Sequence, residues 1–106
     1  MNKADKALSL LGIARRAGRV TRGFDAVIAE VREGQARLIL LAADVSERTE
    51  RGVRRAGDEG EIPIVKTEYE MADFSAALGV AAPVGVVALN DRGFANKMTE
   101  LLSSAK

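Results

Sequence analysis

Two runs constrain what this chain can fold into more than any others: "LILLA", Leu38 to Ala42, and "PVGVVAL", Pro83 to Leu89. Each is apolar without interruption and bounded by polar residues, so neither offers a face to water. Both have the length of strands, and strands apolar on both sides need cover on both sides. Helices must therefore be found to pack above and below them.

The remaining segments supply those helices. From Lys3 to Ala17 the apolar residues Ala4, Ala7, Leu8, Leu11 and Ala14 recur at helical spacing, with Asn2 as the expected cap and Gly18 as the stop. "GRVTRG" leaves room for a short strand around Val20. Phe24, Val27, Ile28 and Val31 form the stripe of a second helix that ends at Gly34. Ser46 caps a polar third helix through about Ala56, with Thr49, Val53 and Ala56 as its inner stripe and Glu47 with Arg51 and Glu50 with Arg54 as i, i+4 pairs. Gly52 weakens that helix by roughly 1 kcal/mol relative to alanine, making it the least stable one expected. "IPIVK" reads as a strand after Pro63, and Thr67 with Glu70 as a capping box for a helix running to about Leu78. Asp91 caps a last helix striped by Phe94, Met98, Leu101 and Leu102. Helices alternating with two-sidedly apolar strands predict one α/β domain over residues 1–106, a three-layer α-β-α sandwich with a mixed sheet of about four strands.

The composition narrows the chemistry. The chain has neither cysteine nor histidine, which removes disulfides, thiolate nucleophiles, the commonest general base and the commonest metal ligands. No G-x-G-x-x-G or G-x-x-x-x-G-K-[ST] motif is present, and the paired acids Glu68 with Glu70 and Asp58 with Glu59 point in different directions. No enzyme, cofactor, metal or small-molecule substrate is expected. The apolar runs fall short of the roughly 18 residues of a membrane span, and the charged start lacks a secretory core. A cytoplasmic monomer away from membranes is the expectation.

Charge is unevenly spread. Lys3, Lys6, Arg15, Arg16, Arg19 and Arg22 face one acid, Asp5, in the first part of the chain, whereas Asp58, Glu59, Glu61, Glu68, Glu70 and Asp73 face Lys66 later on. The basic part leads into the second helix through "ARRAGRVTRGFD", Ala14 to Asp25. The first backbone N–H groups of a helix have no partner within it and suit a phosphate oxygen, and Gly23 lets another backbone come close. Two readings follow from the spacing. Either Arg15, Arg16, Arg19, Arg22 and Gly23 hold phosphates, or Asp25 caps the helix and the arginines serve solubility.

The whole chain resembles the kink-turn RNA-binding superfamily of ribosomal proteins of the L-seven-Ae type, most closely its bacterial YlxQ branch. "LLGIARRAGRVTRG", "GQARLILLAADVSERT", "LGVAAPVGVVAL" and "NDRGFANKM" match it in order. The resemblance implies the same sandwich, no catalysis, and a structured RNA, ribosomal or kink-turn-like, as partner. It places the RNA grip at the start of the second helix, in a G-x-N-E-x-x-K motif, and in the loop before the last strand, Val80, Ala81, Ala82 and Pro83. Phe24 and Asp25 would then lie beside a splayed base. Gly23 matches the motif's glycine, but Asp25, Ala26 and Ala29 stand in place of its Asn, Glu and Lys. An acid and two alanines cannot make the same hydrogen bonds to bases. The alternative reading is a protein-interaction module on the same fold that has lost RNA binding and docks through the acidic 58–73 segment.

Overall fold

The computed structural model describes residues 3–104, so the expected Asn2 cap lies outside the described residues. The elements are α1 (Lys3–Arg16), β1 (Val20–Arg22), α2 (Phe24–Arg32), β2 (Leu38–Leu41), α3 (Glu47–Gly60), β3 (Ile64–Lys66), α4 (Met71–Leu78), β4 (Val86–Leu89) and α5 (Arg92–Ser104). The strands form one sheet in the order β1-β4-β2-β3, with β4 antiparallel to both of its neighbours and β2 parallel to β3.

Every residue of β2 and β4 is buried, as their composition requires. Strand alternation then sorts them onto two faces. Leu38, Leu40, Val87 and Leu89 pack with Leu11, Phe74 and Met98 from α1, α4 and α5. Ile39, Leu41, Val86 and Ala88 pack with Val27, Val31 and Val53 from α2 and α3. Each large apolar side chain so enclosed contributes about 1.5–3 kcal/mol relative to exposure. The result is the expected three-layer sandwich around a mixed four-stranded sheet.

Three local expectations are corrected. The T-x-x-E capping box does not form on Thr67. Helix α4 starts later, at Met71, where Asp73 Oδ2 accepts from Glu70 N at 2.8 Å and Asp44 Oδ1 accepts from Met71 N at 2.8 Å. Thr67 continues the β2–β3 pairing instead: its N–H and its buried hydroxyl both donate to Leu41 O at 2.9 Å, and the hydroxyl accepts from Tyr69 N at 3.2 Å. The final strand is shorter than "PVGVVAL", because Pro83 has no N–H for a ladder and pairing begins at Val86. Helix α3 runs past Ala56 to Gly60 and closes on Glu61, which adopts a left-handed conformation with φ 57°. The packing of this added turn requires its glycines, since a Cβ on Gly57 would come within 2.5 Å of Ile64 Cδ1 and one on Gly60 within 2.8 Å of Val31 Cγ1. They let α3 lie close against β3 and α2.

The caps on Ser46 and Asp91 form as read, Ser46 Oγ accepting from Thr49 N at 3.1 Å and Asp91 Oδ2 from Phe94 N at 3.0 Å. Of the two expected ion pairs on α3, only Glu50 with Arg54 is found among the described residues. Glu50 also takes Lys66 Nζ at 2.8 Å, tying α3 to β3. The Lys66 hydrogen bond, followed by that of Arg54, holds the Glu50 carboxyl below the usual glutamate range.

Two outcomes are expected. Thr67→Val, which keeps the shape but leaves Tyr69 N without its acceptor, costs about 1–2 kcal/mol in urea unfolding. A carboxyl with a depressed pKa stabilises the fold above its unfolded value and loses that contribution as pH falls through the folded one. The gap in urea midpoint between wild type and Glu50→Gln is therefore open at pH 7 and closes below about pH 4.

Candidate nucleic-acid interface

The register of the strands decides which segments meet. Arg22, Leu41, Lys66 and Val86 mark one end of the sheet, called the upper end, and Val20, Leu38, Ile64 and Leu89 mark the lower end. Helices α2, α3 and α4 all begin at the upper end, each following the strand that ends there. The loop from Val80 to Gly85 also returns there, to the start of β4. The orphan N–H groups of three helices thus converge on one side of the molecule.

Two of these starts are occupied by the protein's own side chains. Ser46 caps α3, while Asp44 and Asp73 serve the first turn of α4. The third is open. The cap position of α2 is Gly23, with φ 92° and ψ 151°, and no side chain caps the helix. Asp25 sits in the first turn without capping it, so that alternative reading of the residue is corrected: the cap position falls on Gly23, two residues before Asp25. Gly23 N donates to Val86 O at 3.0 Å, which seats the helix start beside the C-terminal end of the apolar loop.

The loop itself is firmly held. Val80 N donates to Ser75 O at 3.0 Å, and the Ser75 hydroxyl lies 2.7 Å from Ala82 O and 3.0 Å from Met71 O. A hydroxyl has one proton, and the shorter contact to Ala82 is the stronger candidate for it. Ala81, Ala82 and Pro83 are exposed, Val80 is half-buried, and Val84 turns into the core. The loop therefore presents a small apolar edge on a fixed backbone.

Phe24 has a setting that sequence spacing did not show. The ring is 40% exposed and leans over α3 where Gly52 leaves room; a Cβ there would lie 2.8 Å from the ring atoms Cε1 and Cζ. Gly52, read from the sequence only as a weak point in α3, is the notch that seats this ring. The pair borders an open groove of about 710 Å³ between α2 and α3, flanked by Arg32 and Arg55. An apolar residue at a helix start and a glycine inside a polar helix were the available signals, but their proximity needed the fold.

The arginines expected to act together are divided. Arg22 and Gly23 stand at the upper end, whereas Arg19 O accepts from Asn90 N at 3.1 Å beyond the lower end of β4. Arg15 and Arg16 lie in the last turn of α1, next to Arg19. Four residue steps at strand rise separate the Arg19 and Gly23 backbones by about 13 Å. The acidic segment is divided too: Asp58, Glu59 and Glu61 fall at the lower end of α3, and Glu68, Glu70 and Asp73 at the upper end. Among the described residues no group of acids is arranged to hold a metal ion, and no helix is long and apolar enough to cross a membrane.

The protein is thus of the α/β sandwich class, with the uncapped start of α2 beside the apolar loop at one end of its sheet. Within that class, the chain belongs to the Ribosomal protein L7Ae/L30e/S12e/Gadd45 family, whose model matches residues 5–99. It is 42% identical over 93 residues to the RNA-binding protein YlxQ of Bacillus subtilis (strain 168), covering 88% of this chain and 91% of that one. It is 33% identical over 97 residues to the RNA-binding protein YlxQ of Enterococcus faecium, covering 92% and 91%. Among solved structures it is similar to a protein with unknown function from Bacillus halodurans C, with TM-score 0.86, 30% identity, and 92% and 97% of the two chains covered. The fold is shared with the Giardia lamblia 15.5kD RNA binding protein at TM-score 0.75 and 20% identity, covering 97% and 87%.

The open helix start depends on a conformation that is essentially restricted to glycine. Gly23→Ala is therefore expected to cost about 1–3 kcal/mol in urea unfolding, even though nothing lies within 4 Å of the added Cβ.

Proposed function

We propose that this protein is a non-enzymatic, ribosome-associated RNA-binding protein acting as a cytoplasmic monomer, with residues 1–106 as one RNA-binding domain. The observation that carries the reading is the uncapped start of α2 at Gly23, seated on Val86 beside the exposed Ala81 to Pro83 edge, in a chain whose relatives carry RNA-binding names.

In this reading a phosphate of a structured, kink-turn-like RNA accepts from the free amides at the start of α2, and Arg22 adds a charge-assisted contact. An unstacked base lies between the Phe24 ring and the Val80 to Pro83 loop. Aromatic stacking of a splayed base contributes about 1–3 kcal/mol and tolerates different bases. The departures at Asp25, Ala26 and Ala29 act on specificity. Asp25 accepts hydrogen bonds but cannot donate them, so it favours a base edge that presents amino or imino hydrogens and repels a nearby phosphate. Binding then depends more on backbone shape and stacking than on the base-pair reading that Asn, Glu and Lys would perform.

Mobility-shift titration at low salt with a kink-turn hairpin tests this. Wild type binds, Phe24→Ala weakens binding by about tenfold or more, in line with the loss of one stacked base, and Arg22→Gln lowers the salt slope by about one. Absence of binding by the wild type, or a Phe24→Ala, Arg22→Gln double variant that binds like wild type, would falsify the reading.

A further inference from the structure

The division of the arginines leaves a second charged surface that the upper-end site does not use. At the lower end the chain order of the sheet brings three strand termini side by side. Arg19 precedes β1 and Arg37 precedes β2, and they flank the end of β4: Asn90 N donates to Arg19 O at 3.1 Å and Arg37 N to Leu89 O at 2.8 Å. Arg92 opens α5 immediately after β4, and Arg15 and Arg16 close α1, which packs against α5 in the same core. All five side chains are exposed.

This cluster is not neutralised from within. None of the five forms an ion pair among the described residues. Two carboxylates near the cluster have other duties, Asp91 Oδ2 accepting from Phe94 N at 3.0 Å and Glu30 Oε1 from Asn90 Nδ2 at 2.8 Å, and the exposed Glu33, four residues before Arg37, forms no ion pair among the described residues. The acids at the end of α3 lie toward the β3 side of the sheet, three strands and so about 14 Å from β1 but only one strand from Arg37, and none of them forms an ion pair with the five arginines among the described residues. Arg37 is held in place, its Nη1 donating to Gly34 O at 3.0 Å.

We infer that the lower end is a second RNA-contact surface, which takes the phosphate backbone of a duplex segment separate from the RNA at the α2 start. This rests on the reading of the protein as RNA-binding. Five arginines spread over strand and helix ends match a row of phosphates better than one anion. The exposed large apolar residue near them, Ile13 on α1, is aliphatic, and the nearby Phe94 is packed against the core, so among the described residues the surface offers no exposed ring on which a splayed base would stack. Backbone contact without base reading is what remains. With contacts at opposite ends of the sheet, the protein bridges two RNA segments.

The test uses two probes: a kink-turn hairpin, and a fluorescent 20-base-pair RNA duplex of arbitrary sequence. Protein saturated with the hairpin still binds the duplex, seen as a rise in anisotropy. Arg37→Gln, Arg92→Gln reduces duplex affinity about tenfold and lowers its salt slope by roughly two, one per lost phosphate contact, while hairpin affinity stays within about twofold. Single Arg92→Gln, whose side chain makes no hydrogen bond or ion pair among the described residues, gives about half that slope change and guards against a folding defect. Displacement of the hairpin by the duplex, equal losses for both probes in the double variant, or unchanged duplex binding overturns the inference while leaving the upper-end reading intact. Duplex binding that depends on Arg37 and Arg92, with no hairpin binding, supports the second surface and removes the upper-end reading. Binding of neither probe overturns both.

Discussion

Strands β2 and β4 pair with each other and hide both faces, and the rest of the structure follows from covering them. Helices α1, α4 and α5 close one side, and α2 and α3 close the other. Because the two central strands are antiparallel, the segments leaving β2 and entering β4 come to the same end of the sheet. The loop before β4, the starts of α2, α3 and α4, and the end of β1 are therefore neighbours in space while far apart in the chain.

That convergence sets the electrostatics of the upper end. Helix starts carry partial positive charge, and leaving three together would be unfavourable without compensation. The protein compensates two of them internally, through Ser46 and through Asp44 with Asp73. These two aspartates count toward the acidity of the region, yet they are engaged in holding α4 in position. The remaining start, at Gly23, differs because its cap residue has no side chain. The one start left uncapped among capped neighbours is the one to which the proposed RNA-binding reading assigns a phosphate.

Glycines along α3 show how a locally unfavourable residue can be required by packing. Gly52, Gly57 and Gly60 lower the helix propensity of a segment that is already polar. In return they let Phe24, Ile64 and Val31 approach closer than any side chain on α3 would permit. The exposed Phe24 ring beside the open helix start follows from this close approach, so the residue to which the RNA-binding reading assigns base stacking is also a packing residue of α3.

Much of the fold was legible in the sequence. The run "LILLA", the core of "PVGVVAL" and the helical stripes give the element order and the three layers, because burial on both faces admits few other arrangements. The family motifs point to Gly23 and to Val80 through Pro83, and the structure puts the helix start next to the end of that loop. What the sequence could not decide were relations fixed by pairing and register. It read Arg15 through Arg22 as one basic cluster because they are adjacent in the chain, but β1 carries Arg22 to one end of the sheet and leaves Arg19 at the other. It assigned Thr67 a cap because the spacing fitted, but the hydroxyl was taken by Leu41 O across the sheet. Local spacing determines which residues can form an element; only the packed sheet decides which ends of those elements meet, since that depends on strand order and direction, which no single segment encodes.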